Sequence, residues 1–90
     1  MTAKIISAAV KIYDKKQEKE IIIPCHRHCD AFYMLKEFGY VRSEYDILGQ
    51  GFLDRDYNFL SRVDAKIVAR ENNQLLEDSN DPALYSEDLW

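Results

Sequence analysis

Residues 50–73, QGFLDRDYNFLSRVDAKIVARENN, contain the pattern that decides the fold. Two short apolar runs, residues 50–54 and 58–60, flank a polar stretch, which is typical of two strands around a turn. Ser61 follows directly and is a favourable N-cap for a helix with apolar residues at helical spacing. The pair Asn72-Asn73 ends that pattern. The stretch therefore predicts a strand, a turn, a second strand and a helix.

The first part of the chain has the same order of elements. Residues 4–12, KIISAAVKI, are rich in β-branched side chains, and residues 20–24, EIIIP, form a second short apolar run after a charged connection. Residues 30–39, DAFYMLKEFG, place apolar side chains at helical spacing. Asp30 is the expected N-cap of this helix, and Gly39 the expected left-handed residue after its end.

The order of these elements predicts the fold class. With residues 40–49 as a polar loop, the chain has the order ββαββα, which predicts an α+β fold in which a small antiparallel sheet cups two helices. The length of 90 residues predicts a single domain over residues 1–90. The sequence shows neither a long apolar span nor a basic start before an apolar stretch, so we expect a cytoplasmic protein without a membrane partner.

Charge is distributed unevenly along the chain. The net charge is −4, and residues 71–90 carry six acidic residues and no Lys or Arg. A nucleic-acid duplex requires a dense basic face, so this distribution argues against a duplex as partner. The acidic segment 75–90 nevertheless contains the apolar residues of LYSEDLW, and we expect it to dock on the core or on a neighbouring subunit. Because a small core is thin, we also expect a homo-oligomer.

The densest cluster of reactive residue types is Cys25-His26-Arg27-His28-Cys29. A tetrahedral zinc site normally takes two ligand pairs that are separated by a dozen or more residues, and no second pair exists in the sequence. We therefore expect no metal, and reduced cysteines that act as small apolar residues.

Five residues form the candidate ligand-binding site. Arg27 and His28 precede the first predicted helix, and Arg62 is the first residue of the second, so free helix N–H groups and two guanidinium groups can face an anion. Gln50 and Phe52 lie in the strand between them. In this interpretation the arginines hold phosphates, His28 donates a hydrogen bond and Phe52 stacks on a base; in the alternative, Arg27 and the histidines are only solvated and Phe52 belongs to the core. Such a site lacks acid–base machinery, so we expect a binding protein rather than an enzyme.

These positions resemble a family of small phage and prophage proteins. Its pattern is an Arg-His pair, then Gln-Gly-Phe, a turn, F-x-x-R-x-x-A, a further Ala and Gln, and a terminal S-E-D-L-W. In this chain the pattern falls on Arg27, His28, Gln50, Gly51, Phe52, Phe59, Arg62, Ala65, Ala69, Gln74 and residues 86–90.

The family in turn is similar to the Thoeris anti-defence sponge proteins, which assemble into oligomers. This resemblance implies a protein of the bacterial host cytoplasm that sequesters a small anionic nucleotide signal, a cyclic nucleotide or a cyclic ADP-ribose type immune signal, without cleaving it and without a cofactor. One alternative is a phage accessory module that inhibits a host protein through its C-terminal tail. Another is a small hydrolase that uses His28 with Cys29.

Overall fold

The computed structural model of the protein describes residues 3–90. Its strands and helices are β1 (Ile5–Asp14), β2 (Lys19–Cys25), α1 (His28–Glu37), β3 (Tyr45–Asp54), β4 (Phe59–Ser61) and α2 (Arg62–Glu71). Two short 3-10 turns lie at Arg42–Glu44 and Ser86–Asp88. The predicted order ββαββα and the α+β class are confirmed. No helix among the residues described has the length and apolar character that a membrane span requires.

The four strands form one antiparallel sheet in the order β2-β1-β3-β4. Ala8 of β1 pairs with Cys25 on one side and with Phe52 on the other, and all three belong to the core beneath the helices. Their neighbours in each strand point to the opposite face, because side chains alternate along a strand. The core residues are Ile5, Ala8, Val10, Ile12, Ile23, Cys25, Ala31, Leu35, Tyr45, Phe52, Ala65, Ala69, Leu84 and Leu89.

The predicted polar loop over residues 40–49 is wrong in its second half, because β3 begins at Tyr45. Within residues 46–50, all but Leu48 pair with β1 on one side of β3. On the other side, β4 pairs only with residues 51–53. Leu48 has no partner in the β1–β3 register and forms a bulge. A solvated, bulged edge lacks the regular alternation of apolar and polar residues by which a strand is recognised in a sequence.

The first helix begins at His28, before the predicted start at Asp30. Arg27 occupies the N-cap position, and its backbone amide donates to the Asp30 carboxylate at 3.2 Å. Asp30 therefore does stabilise the start of α1, but from the third helical position and not as the N-cap. The motif residues Arg27 and His28 consequently lie at the helix start itself.

Both helices end as the sequence predicts. Gly39 has a φ of +91° after α1, and the amide of Tyr40 donates to the carbonyl of Leu35 at 3.0 Å, which completes a Schellman motif. Asn73 has a φ of 54° after α2 and ends that helix in the same way. The return of the chain at Gly39 directs the following residues back along α1.

Two buried aspartates organise the hairpin turns. Asp14 accepts hydrogen bonds from two turn amides at 2.9 and 3.1 Å and from the Tyr40 hydroxyl at 2.6 Å. The hydrogen bond from Tyr40, together with those from the turn, lowers the pKa of Asp14 below its ordinary value. Asp54 accepts from two amides of the β3–β4 turn at 2.9 Å. Burial raises the pKa of Asp54, but the hydrogen bonds of its turn outweigh burial and leave the pKa lowered.

Candidate functional site

Arg27 directs its guanidinium group toward the C-terminal segment. Nη1 donates to the Ser86 hydroxyl at 3.1 Å, and Nη2 donates to the main-chain oxygen of Trp90 at 2.6 Å. Ser86 is only 3 % exposed, so this hydrogen bond is shielded from water. Arg27 therefore binds the protein's own chain at the position where an anion was predicted.

The indole ring of Trp90 is held from a second direction. Its Nε1 donates to the carbonyl oxygen of His26 at 2.8 Å. The two rings also stack, with centroids 5.6 Å apart and planes inclined by 29°. Trp90 thus satisfies its polar N–H while its ring packs against the strand-to-helix connection.

Arg62 makes a parallel set of contacts at the start of α2. Its Nη1 donates to the carbonyl of Leu84 at 3.3 Å and its Nη2 to Oε1 of Gln50 at 3.0 Å. The guanidinium carbon lies 5.1 Å from the ring centroid of Tyr85, in cation–π geometry. The backbone also contributes, because the Leu84 amide donates to the Arg62 carbonyl at 2.9 Å.

We call His26, Arg27, Arg62 and the segment 84–90 that they hold the C-terminal clasp. Leu84 and Leu89 of this segment lie in the core, with exposures of 0 % and 8 %. The sequence left two docking surfaces open for the segment 75–90, the chain's own core and a neighbouring subunit. Leu84 and Leu89 of this segment pack into the chain's own core. The apolar residues of LYSEDLW are the sequence signal for this docking.

His28 connects α1 to the sheet. Its Nε2 lies 2.7 Å from the carbonyl oxygen of Gly51, and because that oxygen can only accept, Nε2 carries the proton. Burial, aided by the positive charge of Arg62, lowers the pKa of His28 below its ordinary value, against the opposing effect of the Gly51 hydrogen bond. The imidazole is therefore neutral near pH 7, and it donates to the protein rather than to a ligand.

The predicted stacking of Phe52 on a base does not fit this structure. Its ring is fully buried in the core, where His28 meets it edge-on at a centroid distance of 5.2 Å. A ligand has no access to either face of this ring. Of the five candidate residues, Arg62 and Gln50 form a hydrogen bond with each other, and the ring of His28 contacts the ring of Phe52. The side chain of Arg27 instead binds the segment 84–90.

Further residues of the motif also have structural partners. The Gln74 side-chain amide pairs with both the N–H and the carbonyl of Ile5, each at 2.8 Å, and so joins the end of α2 to β1. A side chain on Gly51 would overlap the main-chain carbonyl of Leu60. The backbones of β3 and β4 therefore approach each other closely at Gly51.

The cysteine–histidine cluster is divided by the strand-to-helix junction. Cys25 is buried at the end of β2, and burial raises the pKa of its thiol to about 11, whereas Cys29 is exposed on α1. The imidazole of His28 is engaged with Gly51. Among residues 3–90, no three His, Cys, Asp or Glu side chains are grouped closely enough to hold a metal ion.

Two pairs of apolar side chains are exposed where the sequence did not predict it: one lies on β3, where a loop was predicted, and the other lies on α2, where helical spacing placed both residues on the apolar side of the helix. Ile47 and Leu48 on the free edge of β3 are 38 % and 48 % exposed, and Val63 and Ile67 on α2 are 51 % and 50 % exposed. The hydrogen bond between Arg62 and Gln50 joins α2 to β3, so the two pairs lie on adjoining elements. We call Ile47, Leu48, Val63 and Ile67 the open β3 surface.

The fold and its contacts define a small α+β protein in which two helix-start arginines hold a C-terminal segment. Comparison with protein families matches residues 4–90 to the family described as phage T4 y16D protein. The chain belongs to this family, and the expected membership in a family of small phage proteins is confirmed. No curated protein and no solved structure gives a significant match to the chain.

Proposed function

We propose that this phage protein acts by binding a protein of the infected bacterium through the open β3 surface, without catalysing a reaction. The observation that carries the proposal is the free edge of residues 46–50, for which no strand partner beyond β1 is found within residues 3–90. Free strand edges are templates for an added extended segment. This function corresponds to the interaction module, with the sheet edge in place of the C-terminal tail.

The two edges of the sheet differ in a way that supports this proposal. The edge strand β2 carries Pro24 and the charged, exposed residues Lys19 and Glu20, which discourage pairing with another chain. Residues 46–50 of β3 contain no Lys, Arg or Pro, and their one charged residue, Asp46, is paired with Lys15 at 3.4 Å. The bulge at Leu48 limits regular pairing to a short segment, so contacts of the four apolar side chains must supply much of the binding.

Photo-crosslinking tests this proposal. A photoreactive amino acid at Val63, in cells that express the protein, is expected to capture one bacterial protein. Leu48→Lys places a charge in the surface and is expected to abolish that product. Tyr33→Lys, at a 67 % exposed position on α1, is the matched control and is expected to leave the product unchanged. A product that persists in Leu48→Lys, or one that contains only a second copy of the chain, would contradict the proposal.

Nucleotide capture is the second candidate, and Arg62 is the reason to retain it. Its guanidinium lies over the ring of Tyr85, which is 41 % exposed, beside the first turn of α2. Tyr85 could there take the stacking role predicted for Phe52, while Arg62 binds a phosphate. The ligand class is a cyclic nucleotide or a cyclic ADP-ribose type immune signal, bound without metal or cofactor and released intact.

A capture experiment tests the second candidate. Cyclic ADP-ribose, and in parallel a set of cyclic nucleotides, should disappear from solution on mixing and return with unchanged mass after heating. Arg62→Ala is expected to weaken capture by about 2–3 kcal/mol. Tyr85→Ala should also weaken it, whereas Tyr57→Ala, at a 75 % exposed turn position, should not. Absence of depletion for every compound, or return of a cleaved product, would exclude sequestration.

A further inference from the structure

A cleft beside the C-terminal end of α1 combines aromatic walls with cations. It has a volume of about 350 Å³, which lies at the lower end of the range for small-molecule sites. Its lining residues are Phe32, Lys36, Tyr40, Val41, Arg42 and Tyr45. We propose that this cleft binds a small planar aromatic ring that carries an anionic group. The inference does not depend on the open β3 surface or on the Arg62 site.

The aromatic side chains of the cleft are held in place before any ligand binds. Tyr45 is only 5 % exposed, and its ring contacts that of Tyr40 at a centroid distance of 6.3 Å with an interplanar angle of 78°. The Tyr40 hydroxyl donates to the buried carboxylate of Asp14 at 2.6 Å. Tyr40 is half-buried, so its ring is the one that a ligand ring can reach, and because both contacts hold it in place it loses little conformational entropy on binding.

Arg42 supplies a positioned guanidinium. Its carbon lies 5.1 Å from the ring centroid of Tyr45, and Nη1 donates to the Tyr45 carbonyl at 2.8 Å. A guanidinium has five N–H donors, so the group keeps donors for an anion while it stays against the ring. The rim therefore presents a cation next to an aromatic surface, which is the combination that an aromatic anion requires.

Lys36 adds a second positive charge to the same cleft. Lys36 lines the cleft, and in the part of the chain that the structure describes its ammonium has neither an ion pair nor a hydrogen-bond partner. The nearby carboxylates are already engaged: Glu44 pairs with Lys16 and accepts from the Val41 amide at 2.9 Å, and Asp14 is bound by Tyr40 and its turn. The two cations at the cleft thus remain available for a ligand.

Titration of ¹⁵N-labelled full-length protein with adenosine 5′-monophosphate, followed by amide chemical shifts, tests the inference. Saturable shifts are expected at residues 40–45 and near Phe32. Adenosine, which lacks the charge, and inorganic phosphate, which lacks the ring, should each bind at least about tenfold more weakly. Indole-3-acetate, in a parallel arm, distinguishes a nucleotide from an aromatic carboxylate. Saturable binding of either aromatic anion in the cleft supports the inference.

Variants locate the site. Arg42→Ala and Lys36→Gln are each expected to weaken binding about tenfold, the scale of one charge-assisted contact. Arg55→Ala, at an exposed position outside the cleft, is the matched control and should have no effect. Lys36→Gln keeps the test valid if Arg42→Ala perturbs the fold.

Three results would overturn the inference: no saturable shift with either aromatic anion, phosphate binding as strongly as the monophosphate, or shifts confined to the region of Arg62. The last result would instead support the second candidate function. Failure of the crosslinking experiment would leave this inference intact, because the cleft shares no residue with the open β3 surface.

Discussion

Arg27 and Trp90 are separated by 63 positions in the sequence and are joined by one short hydrogen bond from the guanidinium to the main chain. Arg27 was identifiable from the sequence as a residue at a helix start. Its partner was not, because the irregular segment that leads to Trp90 has no periodicity from which its path could be predicted. Phe52 illustrates the same limit, since its place in an apolar run fits both a core ring and an exposed one.

We predict that Arg27→Ala lowers the free energy of unfolding by about 1–3 kcal/mol. The substitution removes the two hydrogen bonds that the guanidinium donates, and the buried hydroxyl of Ser86 loses one of its partners. Trp90 is the single tryptophan, so its fluorescence reports directly on the C-terminal clasp. Emission should shift to longer wavelength in the folded variant as the indole becomes hydrated. Arg55→Ala is the control, and an unchanged emission maximum in Arg27→Ala would contradict this role.

At the scale of elements, two glycines of β3 differ in their surroundings. A Cβ on Gly51 would collide with the main chain of β4, whereas a Cβ on Gly49 would meet no atom within 4 Å. Gly51 was part of the family pattern in the sequence, and in the structure the absence of a side chain there allows β4 to pack closely against β3. The strand that surrounds Gly49 was not predicted, because the bulge at Leu48 breaks the regular alternation of apolar and polar residues.

Gly51→Ala is expected to destabilise the protein by about 2–3 kcal/mol, because β4 must move away from β3 to accommodate the methyl group. Gly49→Ala is expected to change stability by no more than about 0.5–1 kcal/mol, with stabilisation the expected sign. Urea denaturation of both variants measures the difference. Equal effects at the two positions would show that β4 does not approach β3 as closely as described.

At the scale of the whole molecule, titrating groups make stability depend on pH in two steps. The pKa of His28 is lowered on folding, so the unfolded chain binds a proton more readily as the pH falls through about 6.5. Stability should therefore be complete above that pH and decrease below it. Asp14 and Asp54 also have lowered pKa values, and they should produce a second loss below about pH 4.

Thermal unfolding measured from pH 7.5 to pH 3 tests both steps. His28→Gln keeps a donor for the Gly51 carbonyl and is expected to remove the decrease between pH 7 and pH 5.5 while retaining the acid step. Asp14→Asn should instead reduce the acid step. A His28→Gln protein with the same pH dependence as the unchanged protein near pH 6 would contradict the assignment.

Self-association is the remaining expectation at this scale. A thin core favours a dimer or a larger homo-oligomer at micromolar concentration. Light scattering across that concentration range measures the mass, and because the edge of β3 is proposed to bind a bacterial protein, Leu48→Lys should leave the mass unchanged. A monomeric mass throughout the range would contradict the prediction.

The position of Leu84 and Leu89 in the core has a consequence for how the protein is made. A ribosome delivers residues in order, so the sheet and both helices emerge before these two leucines do. Until segment 84–90 follows, the nascent chain exposes the apolar groove that Leu84 and Leu89 later occupy. A chain that stops before Leu84 would leave this groove open, and we expect it to be a better substrate for chaperones and proteases than a chain that carries the clasp.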